Sequence, residues 1–385
     1  MLITIIYRSH LSEDASVSIL RDMVEKASLL NVRHQVTGIL LFNGSHFFQI
    51  LEGPEEGVLA IYDRICADTR HNNVVELMRD YSPSRRFGNQ GMELFDLRRS
   101  DPNNVLQTVL DRGTSKYQLI YDDRGLQFLR TFVEAREKEN YFEMLPADYW
   151  EFIPGGDVLP SAPGLNYRPV IDPLGRVITA MEIIPDGITG GLSGEALHAH
   201  NLNAVTEALQ NAGRSCPDGM TLYISILPMT LVFVTDAVNR IVSAVKDAGL
   251  VPQQVVLGVS EKEVITQLNM FSSAVRQLKQ AGISLSIDDF GDGSAGLSLL
   301  VNVQPERVRI SDTIVRNIHR SGPKQAVVQA IIRCCSALEI NIIAAEVNRP
   351  EEWMWLETAG IIDFQGSLFK PEGAFIAWPE TREGI

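Results

Sequence analysis

Ser286-Ile287-Asp288-Asp289-Phe290-Gly291 reads as a buried strand that ends in two adjacent carboxylates and a turn. Strand-like runs recur on both sides of it. Val170–Asp172, Val177–Ile184, Leu222–Leu227 and Val255–Val259 precede it, and Arg307–Ile310, Asn341–Val347 and Ile362–Leu368 follow. Helical runs such as Ala237–Ala248 and Ala326–Leu338 fill most of the gaps. Alternating β/α units predict a parallel sheet. Eight such strands predict a closed (β/α)8-type barrel over residues 167–385, compact at about 215 residues. The short turn at Gly175 implies that its first two strands run antiparallel.

The barrel is preceded by residues 151–166, a Pro- and Gly-rich connector. Residues 98–150 read as a helical linker or cap. In its second helix Leu126, Leu129, Phe132 and Val133 share one face. That face either covers a sheet of the first domain or mediates a homodimer. Residues 1–97 read as strand, helix, hairpin, helix and two strands, a ferredoxin-like βαββαββ sheet. The hairpin turn falls at Asn43-Gly44, where both residues tolerate positive φ.

The chain has 385 residues, 45% hydrophobic and 21% charged, with a formal net charge of −14. That length suits at least two domains. The acidic balance argues against direct nucleic-acid binding, which needs clustered Lys and Arg, and suits a basic protein partner. No apolar run is long enough to span a bilayer, so no membrane role is expected. Cys66, Cys216, Cys334 and Cys335 fit neither a zinc site nor a disulfide framework, which points to a reduced cytoplasmic location. Cys334 and Cys335 sit in an apolar helical run and are expected to pack there.

Two polar residues interrupt apolar strands of the first domain. Tyr7 follows Ile3 and Ile5 on one strand face, and Gln49 lies between Phe47 and Leu51 on another. Asn31, near the end of the first helix, is within reach of the same region. The three either line a pocket for a flat heteroaromatic ligand or form a buried group that satisfies itself.

Ile6-Tyr7-Arg8-Ser9, Asn31, Thr37-Gly38-Ile39-Leu40-Leu41, Phe48-Gln49-Ile50-Leu51-Glu52-Gly53, Arg70-His71 and Met92 resemble the BLUF family, blue-light sensors using FAD. The resemblance implies FAD as cofactor. Tyr7 would donate an electron to the excited flavin, and Gln49 would switch its hydrogen bonds. Asn31 would bond the ring edge, Arg64, Arg70 and His71 would approach the polar parts, and Met92 would relay the change. Gln90 stands where many members carry Trp.

In a β/α barrel the chemistry gathers at the C-terminal ends of the strands. Those ends offer Glu182, Ser225, Gly258, Asp288 with Asp289, Ser311, Ala345 and Gln365, with Glu261 and Glu346 nearby. A two-metal hydrolytic site needs several oxygen ligands. Glu182, Asp288 and Asp289 are the residual candidates. They either hold one ion weakly, cap helices, or pair with Arg309.

Tyr167-Arg168-Pro169-Val170-Ile171-Asp172, Glu182-Ile183-Ile184, Asp288-Asp289-Phe290-Gly291 and Phe364-Gln365-Gly366 resemble the EAL family, barrel phosphodiesterases of cyclic di-GMP. Measured against it, Asp186 replaces a phosphate-contacting Arg, Ser225 a metal-binding Asn and Gly258 a metal-binding Glu. Arg309 replaces the catalytic Lys, Ser311 the acidic residue after it, and Ala345 and Asn348 further Glu positions. The EAL-like barrel is therefore expected to be degenerate, without catalytic residues or hydrolysis. The joint architecture resembles BLUF–EAL antirepressors of enterobacteria. That resemblance implies light-dependent binding to a MerR-type repressor. The alternatives are a light-regulated cyclic di-GMP phosphodiesterase and a non-catalytic cyclic di-GMP-binding effector. Trp353 and Trp355 are candidate partner hot spots or core residues.

Overall fold

A computed structural model describes residues 2–12, 20–82, 85–88, 91–99, 107, 124–133, 152–153, 165–175, 177–185, 192–215, 219–293, 295–369 and 380–381. Gln90, Asp186, Cys216, most of the 98–150 segment and the 154–164 connector lie outside them. The chain divides into two compact units. One is Met1–Tyr141 with His319–Ala326, and the other is Phe142–Ile318 with Val327–Ile385.

The first unit is built on a five-stranded sheet. In chain order its elements are β1 (Leu2–Leu11), α1 (Leu20–Arg33), β2 (Thr37–Phe42), β3 (His46–Pro54), α2 (Glu55–Cys66), β4 (His71–Ser82) and β5 (Glu93–Asp96). The spatial order is β4-β1-β3-β2-β5. Only the β2–β5 pair is parallel, which leaves the four-residue β5 at one edge. The hairpin lies where the Asn43-Gly44 signal puts it, but only Gly44 takes positive φ (120°). Asn43 contributes its side chain instead, with Oδ1 accepting from the Ser45 and His46 amides at 3.2 and 2.8 Å.

Period-two patterning divides the side chains between the sheet's two faces. Ile3, Ile5, Tyr7, Phe47 and Leu51 pack with Val58, Ile61 and Tyr62 of α2. Ile6, Ile39, Phe48, Ile50 and Phe95 pack on the other face with Leu126 and Leu129 of α3 (Arg124–Val133). The amphipathic face of α3 thus covers the sheet within the chain, and Phe132 stacks on Phe48 at 5.1 Å.

In the second unit β6 (Phe152–Ile153) pairs with β15 (Glu380–Thr381) outside a closed eight-stranded barrel. The barrel strands are β7 (Leu165–Asp172), β8 (Val177–Pro185), β9 (Leu222–Ile226), β10 (Val255–Ser260), β11 (Ser284–Phe290), β12 (Arg307–Ile310), β13 (Asn341–Ala344) and β14 (Asp363–Phe364). β7 is antiparallel to both its neighbours, β8 and β14, as the Gly175 turn implies. The described helices here are α4 (Gly194–Ser215), α5 (Thr230–Phe233), α6 (Ala237–Asp247), α7 (Leu268–Gln280), α8 (Gly296–Val303), α9 (Asp312–Val315), α10 (Gly322–Ala337), whose first residues up to Ala326 count with the first unit, and α11 (Pro350–Thr358).

One expectation is corrected and one alternative is decided. The Ile362–Leu368 run forms a strand only at Asp363–Phe364, because Gln365 already turns its amide to Ala344 O and its carbonyl to Val347 N. Trp353 and Trp355 are both buried in the barrel core, 2% and 7% exposed, so neither is available as a partner hot spot. Cys335 is likewise a core residue and Cys334 packs beside it.

Candidate functional site

The sensor sheet, α1 and α2 enclose a cavity of about 520 Å³. Met23, Val24, Ala27 and Leu30 on one face of α1 form an apolar wall, with Leu40, Ile61 and Ile65 completing it. Asn31, Gln49, Arg64, Arg70, His71 and Met92 all line it. Six positions singled out in the sequence thus meet around one space. Tyr7 does not line it. The Tyr7 ring is fully buried behind Gln49, and its hydroxyl donates to Gln49 Oε1. The Gln49 amide nitrogen, in turn, donates to Met92 Sδ at 3.4 Å. Gln49 therefore spans from the buried phenol to the residue that precedes β5.

Asn31 Nδ2 donates to Gly91 O at 2.6 Å, which ties the end of α1 to the approach to β5. Its Oδ1 is buried with no partner among the described residues. An orphaned acceptor in the wall of a ligand-sized cavity fits a ligand N–H. Lys26, Arg64 and Arg70 add positive charge, partly offset by Asp68. Arg70 donates to Asp68 at 2.9 Å and holds that carboxyl below its usual range. His71 Nδ1 lies 2.9 Å from Ser9 Oγ, and burial pushes the imidazole below its ordinary pKa, which favours the neutral ring. Burial, then the neighbouring Tyr62, raises the Tyr7 phenol well above its ordinary value, so Tyr7 is protonated at neutral pH.

The barrel carries a second constellation at the C-terminal ends of its strands. Arg309, from β12, donates through Nη1 to Glu182 Oε1 at 2.7 Å and Gln365 Oε1 at 3.3 Å. Through Nη2 it donates to Asp288 Oδ2 at 2.6 Å and Ser225 Oγ at 3.2 Å. Its guanidinium carbon lies 5.0 Å from the centre of the Tyr223 ring. Tyr223 and Ser286 donate to the other oxygen of Asp288, at 2.5 and 3.0 Å. Glu182 is also held by Gln365 Nε2 at 2.8 Å and by Arg168 at 3.0 Å. Burial opposes ionisation of Glu182, but Arg309 and Arg168 more than offset it and hold its carboxyl below the usual range.

Asp289 points elsewhere, as alternation along a strand requires. It sits in the left-handed region, φ 54°, and its carboxylate accepts from Ser260 Oγ at 2.6 Å and Lys262 Nζ at 3.0 Å. Glu261 caps α8, accepting from the amides of Ala295 and Gly296 at 3.1 and 2.7 Å. Ser311 caps α9 through the Thr313 amide, and Glu346 takes Arg168 at 2.7 Å. Asn348 Oδ1 accepts from Ser367. Among the described residues no group of three or more His, Cys, Asp or Glu side chains is arranged to hold a metal ion. The Arg309 guanidinium lies between Glu182 and Asp288 and donates to both.

The EAL domain family matches residues 167–372, and the family of sensors of blue-light using FAD matches residues 2–93. The blue light- and temperature-regulated antirepressor BluF of Escherichia coli K12 is 48% identical over 99% of this chain and 100% of its own length. The chain belongs to the BLUF–EAL family. Among solved structures, the manganese and cyclic di-GMP complex of BlrP1 from Klebsiella pneumoniae matches this BLUF–EAL protein with a TM-score of 0.88. Its identity is 36%, over 99% of this chain and 100% of that one. The cyclic di-GMP phosphodiesterase PdeR of Escherichia coli K12 is 32% identical to the BLUF–EAL protein, over 31% of this chain and 19% of its own. FAD is the cofactor of the BLUF domain, and the cavity suits it in its apolar walls, its cationic rim and the open acceptor on Asn31.

Sequence reasoning missed three contributors in this BLUF–EAL protein. Tyr62 packs 5.5 Å from Tyr7, legible in hindsight from the Val58, Ile61, Tyr62, Ile65 spacing on α2. Arg168 faces Glu182 across the β7–β8 hairpin, each residue seven positions from Gly175. Lys262, only two residues past β10, gave no signal as the partner of Asp289.

Proposed function

We propose that this protein is a blue-light receptor whose output is capture of a repressor protein, with no hydrolysis of cyclic di-GMP. The observation that carries the reading is Arg309, which ties Glu182 and Asp288 together where a hydrolase would hold ions. FAD supplies blue-light absorption and an electron acceptor. The chain's part begins with Tyr7, a neutral phenol that can release an electron and a proton toward Gln49. Gln49 is the residue able to report this, because an amide can turn and exchange donor for acceptor at both ends at once. Such a turn changes what Met92 receives. Met92 leads into β5, whose Phe95 packs with Leu126 and Leu129 of α3 on the opposite face. The proposed route is therefore Tyr7, Gln49, Met92, β5 and α3, with Asn31, Arg64, Arg70 and His71 holding the cofactor. A coupling of about 1–3 kcal/mol is typical for such a relay.

The partner we favour is a MerR-type repressor, by analogy with the antirepressor named above. A net charge of −14 complements a basic DNA-binding face. We place the protein in the cytoplasm, where Cys66, Cys334 and Cys335 remain free thiols. The test uses flavin-loaded full-length protein in darkness and under blue light. We expect no cyclic di-GMP turnover with Mg²⁺ or Mn²⁺ in either state, and light-dependent release of a MerR-type repressor from its DNA. Turnover that rises with light would overturn the reading.

A further inference from the structure

Glu182 and Asp288 are only 3% and 1% exposed, and both carboxylates converge on one point inside the barrel mouth. Two buried anions so placed need a cation between them. Here the cation arrives on a side chain. Arg309 presents a planar fork, one nitrogen to each carboxylate, with Gln365 and Ser225 completing the ring of acceptors. Gly258 is the other half of the device. A Cβ at Gly258 would lie 2.1 Å from Asp288 Oδ2 and 2.9 Å from the Tyr223 ring, so the bare backbone there is what lets Asp288 turn into the guanidinium.

We infer that Arg309 is a tethered substitute for a metal ion. It neutralises the strand-end cage so that the barrel holds its shape without any free cation. Removing it uncovers a latent site for a small free cation, best filled by a planar guanidinium. This inference rests on the same reading of Arg309 that carries the proposed lack of hydrolysis and deepens it, whereas repressor capture is tested separately by DNA release.

The test follows barrel unfolding by tryptophan fluorescence of the flavin-loaded full chain, with Trp353 and Trp355 in the core as reporters. Wild-type Tm is expected to be unmoved by millimolar MnCl2 or by EDTA. Arg309→Ala is expected to melt lower and to recover saturably with methylguanidinium, less with methylammonium, which lacks the fork. At ~100 times its Kd the added cation shifts the folding equilibrium by about 100-fold, a Tm rise of several degrees. If Arg309→Ala is insoluble, the triple variant Glu182→Gln, Asp288→Asn, Arg309→Met is expected to fold and to ignore every cation. Saturable Mn²⁺ binding by the wild type at this cage would overturn the inference. So would an Arg309→Ala protein that no cation stabilises, or a triple variant that fails to fold.

Discussion

Replacing Tyr7 by Phe removes a single oxygen from a fully buried site. That oxygen donates to Gln49 Oε1, and Gln49 is itself only 3% exposed. The amide oxygen would be left without its donor, at a cost of about 1–3 kcal/mol. For a domain of roughly 100 residues each kcal/mol moves Tm by about 4–8 °C, so the sensor should melt about 10 °C lower. Flavin affinity should hardly change, because Tyr7 lies behind the cavity wall and does not line it. The light response should vanish, since the phenol that releases the electron and proton is gone. The assay is a thermal melt, a flavin titration and a light-minus-dark absorption spectrum on the same preparation. A variant that keeps the light-induced red shift would refute the role of Tyr7. A variant that binds flavin normally but melts with the wild type would refute the claim that Gln49 depends on its hydroxyl.

Asn31→Ala should weaken FAD binding by about 10-fold, the value of one hydrogen bond near 1.4 kcal/mol, measured by flavin fluorescence titration. Leu129→Ala, which empties a fully buried position on the sheet-facing side of α3, should cost about 2–5 kcal/mol and keep the red shift while losing light-dependent capture of the repressor in a pull-down. Gly258→Ala should lower the barrel Tm through overpacking of about 1–3 kcal/mol against Asp288. The folded-state pKa of Glu182 is depressed, so its contribution to stability is present above the unfolded carboxylate value of about 4.3 and is lost as pH falls through the lower folded value. Acid denaturation of Arg309→Met should accordingly begin at higher pH than that of the wild type.

The barrel was legible because its strands are short apolar runs at regular spacing, a signal that survives loss of function at their ends. The pocket of the sensor was legible because Tyr7 and Gln49 interrupt apolar faces, and such interruptions need a reason. What period and composition do not encode is the pairing of charges. Glu182, Asp288 and Asp289 could be named as carboxylates at strand ends. Whether each meets an ion or a side chain depends on where long, flexible Arg and Lys side chains come to rest. Arg309 was visible as one option among three. Lys262 lies on a loop, where no periodicity reports direction. Trp353 and Trp355 stayed open between two roles for a related reason: Glu352–Leu356 of α11 are all buried, so helical spacing cannot tell an anchor for a partner from a plug in the core.

The edge position of β5 has a further consequence. It is a strand of four residues at one edge of the sheet, paired in parallel with β2, and short edge elements are among those that open locally at the lowest free energy. The strand that Met92 leads into is therefore the place where a small change in hydrogen bonding has the best chance of becoming a local opening. Amide exchange at Glu93–Asp96, followed in darkness, would read it directly.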